Sequence, residues 1–507
     1  MRLRPLERLA RYAAGAIRDP LRRPAKPSTS TIIFCLLLVG GLALRILALR
    51  TGLARQNSDT SIVYLMSQDV AEGDFRVFYW GQQYGGTMLQ LTAGMLFRLV
   101  GSSFVGLQFV EIGFWLLACL LLRSIVVRAG GVFAGNVAAC LFWLGTPYMV
   151  AISFSDPGFY GNGLVVGLAA IRIAQGAGES MGWARTTALG VCLGLALWTT
   201  PLALALALPA ALWKVARVRS APAGVAGITG MAVGAAPWLW ANLHTGLASL
   251  ERQQTGAERG GLTYWHFFTE LVPGIAGFGS TSTQGRVVAA LFLLTPLLGG
   301  AIALWKGRAT IAVLCLSALL VPVVVAASGV LIVPEAARYA TFGVPAVAGV
   351  LGWAASRVRA VGVLAILLVT SWTVITIWHS TNGLRPVNDP IFGVETLELG
   401  KYLEKEGRTA VWADYWVSYL LTAATEERVT AAALAPPVYR REPSYEADAM
   451  RPQQTTVVLF AEEANDLTLN SQTGLPPYER TLVGPFAVWV FARRMDPSEY
   501  LTALPGA

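Results

Sequence analysis

The sequence predicts a polytopic α-helical membrane protein with a small additional domain at its C-terminal end. The chain has 507 residues, of which 54% are hydrophobic and 14% are charged, whereas soluble globular proteins contain about 25% charged residues. Apolar runs of roughly 20 residues recur between residues 31 and 378, and such a run is long enough to cross a hydrocarbon layer about 30 Å thick. A polar, acidic segment follows them.

Eleven apolar segments fit membrane spans. A basic tail, residues 1–30, precedes the first of them, and no cleavage site follows it, so we expect an uncleaved span and a cytoplasmic N-terminus. Basic residues such as Arg123, Arg185 and Lys306 then fall on turns that this topology assigns to the cytoplasm. The split at Thr199–Thr200–Pro201 decides whether the number of spans is odd, because one long helix through these residues would change the topology. The predicted spans are 31–50, 104–127, 131–150, 162–177, 184–200, 201–216, 223–243, 287–305, 309–327, 339–356 and 360–378.

The segment 379–507 is predicted to be an extracytoplasmic α/β domain on the outer face of the plasma (inner) membrane. Three β-like runs, "RTAVWADYW", "QTTVVLFAEE" and "GPFAVWVFARR", alternate with polar stretches, and "GVETLELGKYLEKEG" is typical of a helix. This segment carries 17 acidic and 11 basic residues, a net charge of −6. Since the overall net charge is +9, the first 378 residues carry +15, which lies in the tail and the short loops. Basic residues in such places set the orientation of the membrane spans, so this charge does not indicate nucleic-acid binding.

The first outer loop, residues 51–103, concentrates carboxylates beside the membrane. Apolar residues recur at helical spacing over 59–73 and again over 88–99, which predicts two helices lying at the interface. Asp59 stands where the first helix begins, so it is a candidate functional carboxylate and equally a candidate N-cap. Between the helices, "GQQYGG" offers Gln82, Gln83 and Tyr84 as neutral hydrogen-bonding groups suited to sugar hydroxyls.

The stretch "SDTSIVYLMSQDVAEGDFRVFYWGQQYGGT" resembles the first outer loop of the GT-C glycosyltransferases of family 39, which include protein O-mannosyltransferases and the aminoarabinose transferase of lipid A. The resemblance extends to "DPGFYGNGLVVGLAAIR", "PWLWANLHTG" and "VPEAARYATFGVPAVAGVLGW". It implies a GT-C fold, a polyprenyl-phosphate sugar as donor, and a catalytic aspartate in this loop. Asp59 is the matching position. The family often has Asp-Glu there, whereas this sequence has Asp59–Thr60.

A donor phosphate needs cationic partners. With the resemblance, Arg338 and Tyr339 in "EAARY" are expected to contact it, because arginine forms forked bonds to phosphate oxygens. Without the resemblance, Arg338 equally suits a side chain that extends to the membrane surface. Arg45, near the outer end of the first span, is a second phosphate candidate.

Three further polar residues are candidates for lining the cavity or for a structural role. Glu111, with Gln108 on the same helix face, either lines the cavity or neutralises Arg45. Asp156 in "SDPG" suits a turn, and the family often has a polar residue there that faces donor or acceptor. His266 and Glu270 are four residues apart and could supply two metal ligands, fewer than the three or four expected of a metal site.

These features predict a membrane glycosyltransferase that moves a sugar from a polyprenyl-phosphate donor to an acceptor hydroxyl on the outer face of the membrane, with inversion and with Asp59 as general base. The acceptor would be an envelope glycan, lipid or protein, and a divalent cation is a possible cofactor. A transporter or flippase of a lipid-linked or envelope substrate is the alternative, although its polar groups would be expected near the bilayer midplane. A scaffold that presents the outer domain is a third interpretation.

Overall fold

The computed structural model describes residues 28–176, 181–215, 220–250, 262–328, 334–434 and 440–496. Most of the basic tail, residues 1–27, and the last residues of the C-terminal segment, 497–507, lie outside the described residues. The predicted fold class is confirmed, because a bundle of apolar helices is followed by a small five-stranded sheet.

Helices make up most of the described residues that precede the sheet. A π-helical turn, Phe267–Leu271, and a 3₁₀ helix, Pro334–Gly343, interrupt the series. The α-helices are α1 (Thr29–Ala48), α2 (Ser58–Glu72), α3 (Met88–Val100), α4 (Phe104–Gly130), α5 (Val132–Leu144), α6 (Pro147–Ile152), α7 (Tyr160–Gly176), α8 (Trp183–Thr199), α9 (Pro201–Val215), α10 (Ala221–Gly234), α11 (Ala236–Thr245), α12 (Leu262–His266), α13 (Val272–Ile275), α14 (Thr283–Trp305), α15 (Ala309–Ser328), α16 (Val344–Ala355) and α17 (Arg359–Ser380).

Within the described residues, five helices are long and apolar enough to cross a membrane, namely α1, α4, α14, α15 and α17. The pair α10 and α11 passes the same test together but bends by 64° between them. Each of the eleven predicted spans coincides with one helix or with two consecutive helices, and the chain is extended at Thr200, where the split between two spans was predicted. The number of membrane crossings stays a prediction.

Small residues allow close contact between α8 and α10. A Cβ atom at Gly190 would lie 2.1 Å from the carbonyl oxygen of Gly227, and one at Gly194 would lie 2.2 Å from that of Met231. Such backbone contact is a common way of packing helices in lipid, where burial of apolar surface between helices gives little driving force.

The two helices predicted in the first loop are α2 and α3, and they differ in exposure. The apolar residues of α2, among them Ile62 and Leu65, are buried in one cluster with Trp412 and Tyr419 of the C-terminal part. In α3, by contrast, Met95 and Leu99 are exposed, as contact with a lipid surface requires. The α2 helix is therefore covered by protein, and α3 is the helix of this loop that offers an apolar surface.

The described residues of the C-terminal part form a five-stranded mixed sheet with four helices. Its elements are α18 (Val394–Lys405), β1 (Ala410–Asp414), α19 (Tyr415–Ala424), β2 (Thr430–Leu434), α20 (Pro443–Ala449), β3 (Thr456–Phe460), α21 (Ala464–Ser471), β4 (Tyr478–Val483) and β5 (Phe486–Phe491). The strand order is β2-β1-β3-β5-β4, with β1 parallel to β2 and β3, and β5 antiparallel to β3 and β4. The predicted helix is α18, and the three predicted strand runs contain β1, β3 and β5.

Candidate active site

Asp59 is the second residue of α2, and it is not the residue that caps this helix. The side chain of Asn57 accepts from the backbone N–H of Thr60 at 3.1 Å, and the Thr60 hydroxyl accepts from the backbone N–H of Asn57 at 3.0 Å. This reciprocal pair is a capping box. The carboxylate of Asp59 is therefore free of the capping role that its position also suggested, and its side chain remains 15% exposed.

Two side chains from distant parts of the chain meet the carboxylate of Asp59. The hydroxyl of Tyr415 donates to Oδ1 at 2.5 Å, and Nη1 of Arg338 donates to Oδ2 at 3.4 Å. The hydroxyl of Tyr79 donates to the backbone carbonyl of Asp59 at 2.8 Å. Since each carboxylate oxygen can accept more than one hydrogen bond, both oxygens keep capacity for a further donor.

Tyr415 reaches Asp59 because two helices begin at the same place. Tyr415 is the first residue of α19, directly after β1, and its carbonyl oxygen accepts from the hydroxyl of Ser58, the first residue of α2. Burial and the nearby charge of Asp59 raise the pKa of Tyr415 well above its usual value, so its hydroxyl stays protonated and donates. The two helix N-termini add positive potential to this point.

Arg338 lies in the 3₁₀ helix that precedes α16, beside Tyr339. Its guanidinium carbon is 5.6 Å from the centre of the Tyr339 ring. The Nε atom of Arg338 is buried and has no hydrogen-bond partner among the described residues. The structure thus brings together Asp59, Arg338 and Tyr339, which come from separate segments and for which the sequence predicts one site.

Arg441 supplies a second guanidinium on this side of the site, and it is not among the residues that the sequence predicts there. It hydrogen-bonds to the side chain of Tyr415, and its guanidinium carbon lies 5.7 Å from the Tyr79 ring centre. With the Gln82 amide turned so that its oxygen faces the arginine, that oxygen accepts from Nη1 at 3.0 Å and from Nη2 at 3.3 Å. Arg441 therefore joins the "GQQYGG" turn to the C-terminal sheet.

The other two polar residues of the turn are at the surface of the site. Gln83 and Tyr84 are both exposed. The pKa of Tyr84 is raised to about 12, first by desolvation and then by Tyr339, while the positive charges of Arg441 and Arg338 oppose the rise. Because the charges of Arg338 and Asp59 both act on its hydroxyl, Tyr84 lies near Asp59, and 37% of the residue is exposed.

Asp156 has the structural role that its turn sequence suggested. It is 2% exposed, and Oδ1 accepts from the backbone N–H groups of Gly158, Phe159 and Tyr160 at 2.9–3.2 Å. Its other oxygen accepts from Gly161 at 2.6 Å. All these donors lie at the start of α7, so Asp156 fixes the entry to that helix.

Arg45, a phosphate candidate from the sequence, has a structural role inside the bundle. It is 1% exposed, and its three nitrogens donate to the Ser153 hydroxyl at 2.8 Å and to the carbonyls of Gly41 and Trp143 at 3.1 and 2.9 Å. Because the guanidinium is fully engaged by protein, we no longer assign it to the phosphate. Among the described residues, Glu111 lies near Asp156, and Arg45 has its contacts elsewhere, so Glu111 is not the partner of Arg45.

The metal candidates do not assemble a site. His266 ends α12 and Glu270 lies in the following π-helical turn. Across the ranges that the structure describes, no three His, Cys, Asp or Glu side chains come close enough to hold a metal ion. At Asp59 the neighbours are a guanidinium and a tyrosine hydroxyl, which are not the oxygen-rich ligand set of a hard cation. A divalent cation as a possible cofactor stays a prediction.

The residues that sequence reasoning missed are Tyr415, Tyr79 and Arg441. Tyr415 is 356 positions from its partner Asp59, so no spacing connects them. The available signal was weak: Tyr415 stands in "ADYW", where a predicted strand ends, and a strand end is a frequent place for functional side chains.

The fold is similar to that of solved membrane transferases. ArnT from Cupriavidus metallidurans, an aminoarabinose transferase, matches with a TM-score of 0.60 over 91% of this chain and 98% of ArnT, at 12% identity, both in the apo state and bound to undecaprenyl phosphate. The chain has a GT-C fold. The oligosaccharyltransferase from Archaeoglobus fulgidus, also of the GT-C fold, matches in its apo form with a TM-score of 0.50 over 86% of this chain and 70% of that one, at 12% identity.

Comparison of the sequence with family models and curated proteins finds no match. At 12% identity, the likeness to the two transferases shows the fold alone.

Proposed function

We propose that this protein is a membrane glycosyltransferase that moves a sugar from a polyprenyl phosphate to a hydroxyl group of an acceptor. The observation that carries the proposal is the contact between Asp59 and Arg338, 3.4 Å apart although 279 positions separate them, within a GT-C fold. A carboxylate beside an arginine provides a base for the acceptor and a cation for the leaving phosphate. One of the similar ArnT structures is bound to undecaprenyl phosphate, which supports a lipid-linked donor.

The proposed reaction is a single displacement. The acceptor oxygen attacks the anomeric carbon of the donor sugar on the face opposite the phosphate, while the carboxylate of Asp59 takes the proton of the acceptor hydroxyl. The bond between the anomeric carbon and the phosphate oxygen breaks, and its electron pair leaves with the polyprenyl phosphate. The configuration at the anomeric carbon is inverted, as in inverting glycosidases, which use a carboxylate base in the same way.

Arg338 is the proposed first phosphate contact. Its Nε atom is buried without a hydrogen-bond partner among the described residues, and a buried donor of this kind gains free energy from an anionic acceptor. Tyr339 and Tyr84 flank it, and Gln82 and Gln83 are assigned to sugar or acceptor hydroxyls. The site would lie at the outer face of the plasma membrane, with the N-terminus in the cytoplasm.

The donor and acceptor can be identified directly. Purified protein in lipid nanodiscs is incubated with a panel of radiolabelled polyprenyl-phosphate sugars and with an extract of the cell envelope. We expect one donor to yield a labelled glycan, lipid or protein, with its anomeric configuration inverted. Labelled lipid that crosses a vesicle bilayer without forming a new glycoside would instead support a flippase.

The role of Asp59 is tested with Asp59→Asn. Loss of the base should lower the transfer rate by about 10²- to 10⁴-fold, with normal membrane insertion and an unchanged unfolding temperature. Asp74→Asn is the matched control, because Asp74 lies in the same loop and its side chain is 69% exposed. Transfer at the wild-type rate in Asp59→Asn would remove Asp59 from the mechanism.

A further inference from the structure

The described cations near Asp59 come from two separate parts of the chain. Arg338 precedes a helix of the membrane bundle, whereas Arg441 lies two residues before α20 in the C-terminal part. The loop that carries Asp59 contributes Arg76, but this side chain is 51% exposed and lies 3.8 Å from Glu442 and 3.9 Å from Asp74. The positive charge at the site is therefore completed by the C-terminal part.

The backbone of Arg441 is held in a fixed position against the first loop. Its N–H group donates to the hydroxyl of Tyr419 at 2.6 Å, and the residue is 6% exposed. Gly81 approaches so closely that a Cβ atom there would lie 2.8 Å from the Cα atom of Arg441, and Gly81 also has a φ of +64°. Only glycine meets both conditions without strain, so the turn is shaped to bring this arginine close.

The side chain of Arg441 is connected to Asp59 through one tyrosine. The guanidinium hydrogen-bonds to the side chain of Tyr415, and the hydroxyl of Tyr415 donates to Asp59 at 2.5 Å. Asp59 also contributes to raising the pKa of Arg441. The positive charge of Arg441 thus acts on the Asp59 carboxylate through Tyr415. The hydrogen bonds described above for the two Asp59 oxygens come from Tyr415 and Arg338.

The charge balance of the reaction calls for a second cation. Asp59 and Arg338 together are neutral. The donor phosphodiester carries about one negative charge, whereas the released phosphate monoester carries about 1.5 to 2. Negative charge therefore grows as the bond to the sugar breaks, and a cation that is already in place stabilises the transition state more than the bound substrate.

We propose that Arg441 binds the phosphate of the polyprenyl product together with Arg338, so that the C-terminal sheet supplies part of the active site. This inference rests on the proposed function. It assigns the sheet a direct part in donor binding, and the ligand chemistry is an isoprenyl monophosphate. The competing explanation is that Arg441 only attaches the sheet to the "GQQYGG" turn.

The experiment measures binding of a C15 isoprenyl monophosphate to the full-length protein in nanodiscs, without any sugar transfer. Arg441→Gln should weaken binding by about tenfold to a hundredfold, as expected for loss of a hydrogen bond to a charged group. The corresponding C15 alcohol, which lacks the phosphate, should bind both proteins equally. Arg440→Gln is the matched control, because Arg440 is adjacent in sequence and pairs with Glu446 at 3.4 Å.

A second variant separates binding from attachment. Tyr419→Phe removes the hydroxyl that holds the Arg441 backbone but keeps the guanidinium, so it should retain most of the phosphate affinity. Equal monophosphate binding by wild type and Arg441→Gln would overturn the inference and leave the proposed function standing. Equal losses in both variants, for the alcohol as well, would also overturn it, in favour of attachment. Failure of the wild type to bind the monophosphate would refute the proposed function itself.

Discussion

Tyr415→Phe tests whether the C-terminal sheet positions the catalytic carboxylate. The substitution keeps the aromatic ring and the backbone contact of Tyr415 with Ser58. It removes the hydroxyl that donates to Asp59 at 2.5 Å and that also hydrogen-bonds to Arg441, while the charge of Arg441 stays in place. Without this donor, the carboxylate is free to turn towards Arg338, which is 3.4 Å away. We expect a lower rate of transfer with little change in donor binding.

The magnitude follows from the kind of hydrogen bond that is lost. A hydrogen bond to a charged group contributes about 1.5–3 kcal/mol, and each 1.36 kcal/mol of transition-state stabilisation changes the rate by about tenfold. Because Asp59 is only 15% exposed, water replaces the hydroxyl poorly. The expected loss in kcat is therefore about tenfold to a hundredfold, with KM for the donor nearly constant.

The assay is steady-state transfer with the donor identified in the panel experiment, together with thermal unfolding followed by tryptophan fluorescence. Tyr402→Phe is the control, because Tyr402 lies on α18 and packs against the other side of the sheet core. A kcat for Tyr415→Phe that equals the control value would refute the positioning role. So would a parallel fall in kcat and unfolding temperature, since that pattern indicates a structural defect.

Two further predictions concern residues outside the reaction itself. The pKa of Asp69 is raised from 3.8 to about 7, mainly by burial and then by the charges of Glu427, Asp74 and Glu442. Between these two pH values the folded protein holds a proton on Asp69 that the unfolded chain releases. The unfolding temperature should therefore fall as the pH rises from about 4 to about 7. Asp69→Asn should flatten this dependence, whereas the exposed Glu72→Gln should not, and an unchanged slope in Asp69→Asn would contradict the assignment. Arg45→Lys should destabilise the bundle by about 2–4 kcal/mol, because a single ammonium group cannot replace three directed hydrogen bonds, while KM for the donor stays at the wild-type value. A raised KM with normal thermal stability would return Arg45 to the phosphate site.

Local patterns were sufficient to predict the helices and much of the sheet. Apolar runs of membrane-spanning length predicted the bundle, and the break at Thr200 is visible in the sequence because proline at 201 suits the first turn of a new helix. The strands β1, β3 and β5 are rich in buried apolar residues and were predicted. The run "TAAAL" of β2 was not, because alanine has little preference for strands.

The candidate site was predicted only in part, and the resemblance carried that part. Asp59, Arg338 and Tyr339 were assigned to one site before any contact was known, and the structure brings them together. Asn57 and Asp59 are both good capping residues, so the sequence does not show which of them caps α2. The reciprocal hydrogen bonds between Asn57 and Thr60 decide it in favour of Asn57. Arg45 was assigned to the phosphate because its charge lies near the end of a span, but its hydrogen bonds are all to the bundle.

The sequence by itself determined the membrane class, the helical segments and the presence of a carboxylate-rich loop, because hydropathy and periodicity are properties of neighbouring residues. Only the tertiary structure shows that the C-terminal part covers α2. It also shows that Tyr415 hydrogen-bonds to Asp59 and that Arg441 hydrogen-bonds to Tyr415. The contact of Tyr415 with Asp59 joins residues 356 positions apart, and it depends on how the surfaces of two distant chain segments fit. The pattern of neighbouring residues in the sequence does not predict such a contact.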